Sequence, residues 1–115
     1  METWTLDGKE LPTYITGPTD AKITILAVQD IYSMNETRVK ACCDFLADQG
    51  YRVVLPDWHK GDSYTPDKSI MDWLSNHPVE EVVRMISEAF DKIRQTDKKV
   101  VGMGFCWGSW VLYHA

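Results

Sequence analysis

The run Ile23-Thr24-Ile25-Leu26-Ala27-Val28 is almost continuously apolar. A strand with one wet face alternates apolar and polar residues. A strand without that alternation is buried on both faces, as in a parallel sheet covered by helices. Two further short runs have the same character: Arg52-Val53-Val54-Leu55, stopped by Pro56, and Lys99-Val100-Val101-Gly102-Met103. Between the first two, Asn35 to Gln49 has helical spacing that puts Val39, Cys42, Cys43 and Leu46 on one side, with Asn35 as N-cap and Gly50 as C-cap. Pro78 suits the first turn of a helix running to about Gln95, with Val82, Val83, Ile86, Phe90 and Ile93 on its apolar face. Its polar face carries Glu80, Glu81, Arg84, Glu88, Asp91 and Lys92. Upstream, Trp4-Thr5-Leu6 and Thr13-Tyr14-Ile15 flank Asp7-Gly8, a pair that tolerates the φ > 0 of a hairpin turn. Strands alternating with helices predict an α/β fold, a three-layer sandwich around a mostly parallel sheet. Residues 57–78 read as loop, with a short helical turn at Met71-Asp72-Trp73-Leu74.

Size and charge narrow the function classes. The 115 residues suggest one domain over 1–115, and the net charge of -5 argues against a nucleic-acid surface, which needs clustered Lys and Arg. No apolar run approaches the length of a membrane span. The start Met1-Glu2-Thr3-Trp4 has neither a basic nor an apolar leader region, so the sequence reads as cytoplasmic. Three cysteines, two of them adjacent at Cys42 and Cys43, do not form a disulfide framework, and no Cys/His spacing fits a metal site. Adjacent cysteines on a helix point about 100° apart, which favours packing over bridging. No cofactor is expected, and the oligomeric state is not readable.

The stretch Gly104-Phe105-Cys106-Trp107-Gly108 has the form G-x-C-x-G between a strand taken as buried and a helix starting at Trp107 and running towards Ala115. A nucleophile elbow occurs in this context. The chain reverses sharply, the nucleophile sits on the bend, and glycines two residues either side admit the neighbouring backbone. Cys106 would then stand alone at the carboxyl edge of the sheet, near a helix N-terminus that favours its thiolate, and the backbone N–H of Trp107 would be free to meet a developing oxyanion. The competing structural reading is a buried, inert cysteine. A dinucleotide-binding glycine loop fits less well, because the spacing is G-x-G-x-x-x-G and the bulky Phe105 and Trp107 crowd the approach.

Val100 to Gly108 resembles the elbow of the dienelactone hydrolase family, which uses Cys where most α/β-hydrolases use Ser. Gln29-Asp30-Ile31-Tyr32 resembles the segment that follows the family's first buried strand. Gln49-Gly50-Tyr51-Arg52-Val53-Val54-Leu55-Pro56-Asp57, with Gly61-Asp62 after it, resembles a third. The resemblance implies an α/β-hydrolase domain, incomplete at the C-terminus, that cleaves a small ester or lactone with no nucleic-acid or membrane partner. It implies Cys106 as nucleophile, forming an acyl-thioester, and the backbone N–H groups of Ile31 and Trp107 as the oxyanion hole. Asp30 matches the family's acidic residue near the nucleophile, which the resemblance implies is catalytic with Cys106 by influencing the thiol's protonation. Ser33 and Ser109 stand where glycines are common.

Triad order in this fold is nucleophile, acid, then His, which puts both partners after Cys106. His114 falls in the elbow helix, too near in sequence to serve, and His59 and His77 read as surface loop residues. Two alternatives therefore stay open beside the hydrolase: a catalytically incomplete fragment or pseudoenzyme, and a thiol redox sensor built on Cys106. Trp58, Tyr64 and Trp73 suit either a substrate mouth or a small core covering the sheet.

Overall fold

The computed structural model describes residues 1–32, 37–96, 98–105 and 107–114. Ser33, the N-cap Asn35 and Cys106 lie outside the described residues. The elements are β1 (Glu2–Leu6), β2 (Lys9–Thr16), β3 (Ile23–Val28), α1 (Thr37–Asp48), β4 (Arg52–Pro56), α2 (Ile70–Asn76), α3 (Val79–Arg94), β5 (Lys99–Gly104) and α4 (Trp107–Tyr113).

The hairpin forms around Asp7 and Gly8, whose φ values of 51° and 75° give the doubly left-handed turn that matches strand twist. Trp4 faces Leu11 and Leu6 faces Lys9 across it. The five strands run in the order β1-β2-β4-β3-β5. β3 pairs in parallel with β4 and with β5, and β2 joins the hairpin to β4 antiparallel. The sheet is thus mixed: its centre and β5 side are parallel, as expected, and the hairpin adds an antiparallel flank.

Helices cover both faces because β3 and β4 supply apolar residues to both. Ile25, Ala27, Val53 and Leu55 pack with Val39 and Cys43 of α1. Leu26, Val28 and Val54 pack on the opposite face with Val82, Met85, Ile86 and Ala89 of α3 and Val111 of α4. α1 ends in a paired carbonyl cap. The N–H of Gly50 (φ 100°) donates to Ala47 at 3.0 Å, and that of Tyr51 donates to Leu46 at 3.3 Å. α2 extends the expected single turn to seven residues and begins at Ser69, whose hydroxyl accepts from the Asp72 N–H.

Two expectations are corrected here. Cys42 is exposed while Cys43 is fully buried, since neighbouring helical positions diverge and only Val39 and Cys43 turn squarely onto the sheet. β5 is not a buried strand. Val101 is 49% exposed, because it stands on the α1 side of the sheet and α1 packs over β4 and β2 without covering this part of the edge strand. Among the described residues no helix is long and apolar enough to cross a membrane.

Candidate active site

The parallel strands β3, β4 and β5 send their carboxyl ends to one rim of the sheet, where ligands of α/β folds bind. The segments that meet there are Gln29 to Tyr32, Asp57 to Tyr64 and Phe105 to Gly108.

The elbow is tight. Only two residues separate the end of β5 at Gly104 from the start of α4 at Trp107. The Phe105 N–H donates to the Val28 carbonyl at 3.1 Å, and the Gly108 N–H closes the bend onto the Phe105 carbonyl at 2.9 Å. Both flanking glycines are sterically required. A Cβ on Gly104 would lie 2.4 Å from the Ser109 nitrogen, and a Cβ on Gly108 would lie 2.1 Å from the Val28 carbonyl oxygen. Neither neighbour is a side chain that can swing away, so the crossing of α4 over the end of β3 depends on glycine at both positions. Gly104 to Gly108 is therefore a strand-turn-helix bend, not part of one continuous element.

Ile31 and Trp107 come to the same rim, at the ends of the adjacent strands β3 and β5. The Ile31 carbonyl accepts from the Tyr64 N–H at 2.8 Å, which ties the loop after β4 to the loop after β3, and the Tyr32 and Tyr64 rings meet edge to face. The Asp30 carboxylate accepts from the Tyr32 N–H at 2.9 Å, a local turn within its own loop.

The structure overturns the reading of His59 and His77 as surface residues. His59 is fully buried and His77 almost so. Asp57 explains how a loop histidine turns inward. One carboxylate oxygen accepts from the His59 N–H at 3.2 Å and the other from the Gly61 N–H at 2.8 Å, curling residues 57–61 into a turn that also carries Lys60 at φ 56°. Lys60 in turn pairs with Glu81 of α3. The His59 ring then packs edge-on against Trp107 and Trp73, each at 4.9 Å between centroids. Trp58, Trp73 and Tyr64 belong to this core, so they form an inner layer over the sheet. The Trp58 indole donates to the Ala27 carbonyl at 2.8 Å and the Trp73 indole to the Asp62 carbonyl at 2.6 Å. Each fully buried indole contributes roughly 4–6 kcal/mol by area.

The electrostatics follow from that packing. Burial pushes the His59 imidazole down to about 3, with His77 adding to the effect and the Asp62 carboxylate opposing it. A ring held that neutral is a poor general base at ordinary pH. Asp62 lies below the usual carboxylate range, first because Lys68 donates to it and then because His77 does, at 2.9 Å each. His114 sits just past the end of α4, exposed and in edge-to-face contact with Trp110 and Tyr113. Sequence reasoning missed the His59–His77–Asp62 group because loop residues show no periodicity. The one available signal was the density of aromatics around them. Among the described residues, no group of three or more His, Cys, Asp and Glu is placed to hold a metal ion.

The chain matches the Dienelactone hydrolase family over residues 11–115. It is 29% identical over 107 residues to hydrolase pyvD of Aspergillus violaceofuscus, covering 86% of this chain and 44% of that one. It is 27% identical over 113 residues to the human carboxymethylenebutenolidase homolog, covering 92% and 46%. The chain thus spans about half the length of the curated relatives it matches. Its fold is shared with Est1E of Butyrivibrio proteoclasticus, solved with ferulic acid bound (TM-score 0.70, 17% identity, 97% of this chain and 45% of that one). It is also shared with epoxide hydrolase VrEH1 of Vigna radiata (TM-score 0.62, 19% identity, 98% and 33%).

Proposed function

The chain belongs to the dienelactone hydrolase family, and from that we propose that it carries the nucleophile of a hydrolase cleaving a small ester or lactone through Cys106. The observation behind this reading is the elbow: two glycines that no other residue can replace, one residue either side of Phe105-Cys106-Trp107, at the carboxyl rim of parallel strands. Such a bend suits a group that must stand clear of its own backbone.

In the proposed reaction the Cys106 thiolate adds to the carbonyl carbon. The carbonyl oxygen takes up the negative charge and is met by the backbone N–H groups of Ile31 and Trp107. The tetrahedral adduct collapses, the C–O bond to the leaving group breaks, and the alkoxide departs, taking its proton from water. The acyl-thioester left on Cys106 is then hydrolysed by water, which returns the thiol and releases the acid. Asp30 is assigned the role of acidic neighbour to the nucleophile. Its carboxylate also accepts from the Tyr32 N–H, which shapes the loop that presents Ile31. The substrate class is a small ester or lactone. The compartment we propose is the cytoplasm, where a thiol nucleophile stays reduced.

The test is hydrolysis of p-nitrophenyl acetate, with mass spectrometry of the protein after a brief reaction. The wild type gains one acetyl group on Cys106, and Cys106→Ala gains none and loses turnover. Equal turnover by Cys106→Ala would remove Cys106 from the reaction.

A further inference from the structure

Five buried side-chain nitrogen or oxygen atoms have no hydrogen-bonding partner among the described residues: Thr24 Oγ1, Gln29 Oε1, His59 Nε2, His77 Nδ1 and Trp107 Nε1. Each such orphan costs roughly 1–3 kcal/mol if left unmatched. Three of the five belong to one group of touching rings. His59 lies 4.9 Å from Trp107 and 5.8 Å from His77 between centroids, and Trp73 packs against all three.

Their donor and acceptor roles can be worked out. The Trp107 indole N–H only donates. His77 Nε2 lies 2.9 Å from an oxygen of the Asp62 carboxylate, which only accepts, so Nε2 carries the proton and Nδ1 is an acceptor. His59 is neutral and its Nδ1 lies 3.4 Å from the Ser63 hydroxyl. The Ser63 hydroxyl can donate or accept; in the tautomer with the proton on Nδ1, the one the proposal takes, His59 Nε2 is an acceptor as well. The group therefore presents one donor and two acceptors. A water molecule supplies the complement: one lone pair for the indole and two O–H groups for the imidazoles.

We propose that His59 is a positioning residue for the elbow, acting through one buried water that it shares with His77 Nδ1 and the Trp107 indole N–H. This rests on the nucleophile reading above, because Trp107 follows Cys106 directly and its backbone N–H is the donor assigned to the oxyanion. Fixing the indole fixes the side of the residue whose peptide group must point at the reacting carbon. Asp62, itself anchored by Lys68, sets the His77 tautomer and so completes the chain from the loop surface to the elbow. The charged and titratable groups around His59 are Asp57, whose carboxylate accepts from its backbone N–H, His77 at the end of α2, and Asp62 with Lys68 in the loop before it.

Nitrogen-15 NMR of the full chain at pH 7 tests this without needing activity. The expected result is His59 protonated on Nδ1, His77 protonated on Nε2, and a cross-relaxation peak from the Trp107 indole proton to a long-lived water. In His59→Phe that peak disappears, and amide exchange at Gly108, whose N–H is bonded to the Phe105 carbonyl, speeds up about tenfold or more. In His59→Gln, whose side-chain oxygen can accept, both return to within about twofold of wild type. On p-nitrophenyl acetate, His59→Phe lowers kcat about tenfold with KM held, and His59→Gln restores it. A proton on His59 Nε2, or an indole proton with no water contact in the wild type, overturns the shared water. A water that vanishes in His59→Phe while amide exchange at the elbow stays unchanged overturns the positioning role. If the elbow responds in NMR but no variant or wild type hydrolyses ester, it is the nucleophile reading that fails, and the network stands. Should His59→Phe not fold, the wild-type tautomers and His59→Gln still decide.

Discussion

The two faces of the sheet are built from different materials. Under α1, Ile25, Ala27, Val53 and Leu55 meet Val39 and the Cys43 thiol, and no member of that group carries a side-chain nitrogen or oxygen. On the opposite face and at the adjoining rim, four indoles, two imidazoles and a glutamine are buried, and every orphaned polar atom recorded among the described residues lies there. Aliphatic side chains can seal a layer with no directional demands. Indoles and imidazoles also fill space, but each brings a polar atom whose burial is costly unless matched. Apart from Thr24, near the start of β3, the second face accepts that cost towards the elbow end of the sheet. The first face supplies cohesion, and the second combines cohesion with a fixed set of donors and acceptors.

The largest expected effect comes from the joint between the second face and the rim. Gly108→Ala puts a methyl group 2.1 Å from a backbone oxygen of β3, so α4 must move. It is expected to cost about 3 kcal/mol or more, read as a drop in the urea midpoint together with loss of ester hydrolysis. A Gly108→Ala chain with wild-type stability would show that α4 is not clamped to β3 at all.

The next effect separates the faces by pH. Burial holds His59 neutral in the folded chain, at about 3 against the ordinary 6.5. Between those values the unfolded chain binds a proton that the folded chain refuses. The stability is therefore fully present above pH 6.5 and is lost as pH falls towards 3. The slope reaches at most about 1.4 kcal/mol per pH unit, or roughly 2 kcal/mol between pH 6.5 and 5. That window lies above the range in which the lowered carboxylates Asp62 and Asp7 titrate. Urea midpoints at pH 7, 6 and 5 measure it. His59→Phe flattens the dependence, while Cys43→Ala on the other face keeps it. The contrast breaks down if both variants show the wild-type slope.

The smallest effect sharpens the picture of the aliphatic face. Burial pushes the Cys43 thiol up to about 12, with the neighbouring Asp44 and Cys42 adding to it, whereas Cys42 is exposed. With iodoacetamide at pH 8, tandem mass spectrometry should find Cys42 alkylated and Cys43 untouched until urea is added. Labelling of native Cys43 would mean that this face opens readily.

How legible each region was in the sequence follows from its physics. The hairpin was visible because Asp7-Gly8 encodes its own turn. β3, β4 and α3 were visible because burial on one or two faces leaves a period in the residues. The elbow was visible because a backbone crossing this close excludes every side chain at Gly104 and Gly108, which leaves a spaced glycine signature. His59 and His77 were not visible. Their burial is imposed by the Asp57 turn and by rings from β4's loop, α2 and α4, contacts that leave no local trace. Cys42 was misplaced because a helical stripe is about one residue wide at its edge, and spacing alone does not say where it stops. β5 was taken as buried because its composition matches β3, although a strand's composition does not count its neighbours.

The even and odd positions of β3 serve opposite sides of the molecule: Ile25 and Ala27 face one way, and Leu26 and Val28 the other. If β3 slipped by a single residue against β4, the slender Ala27 would be delivered to the indoles and the bulkier Leu26 to the narrow space beneath α1, and neither layer could close. With no polar stripe to tell the faces apart, unequal side-chain size is what proofreads this strand's alignment, so Ala27→Leu and Leu26→Ala together should scramble strand pairing more than either change alone.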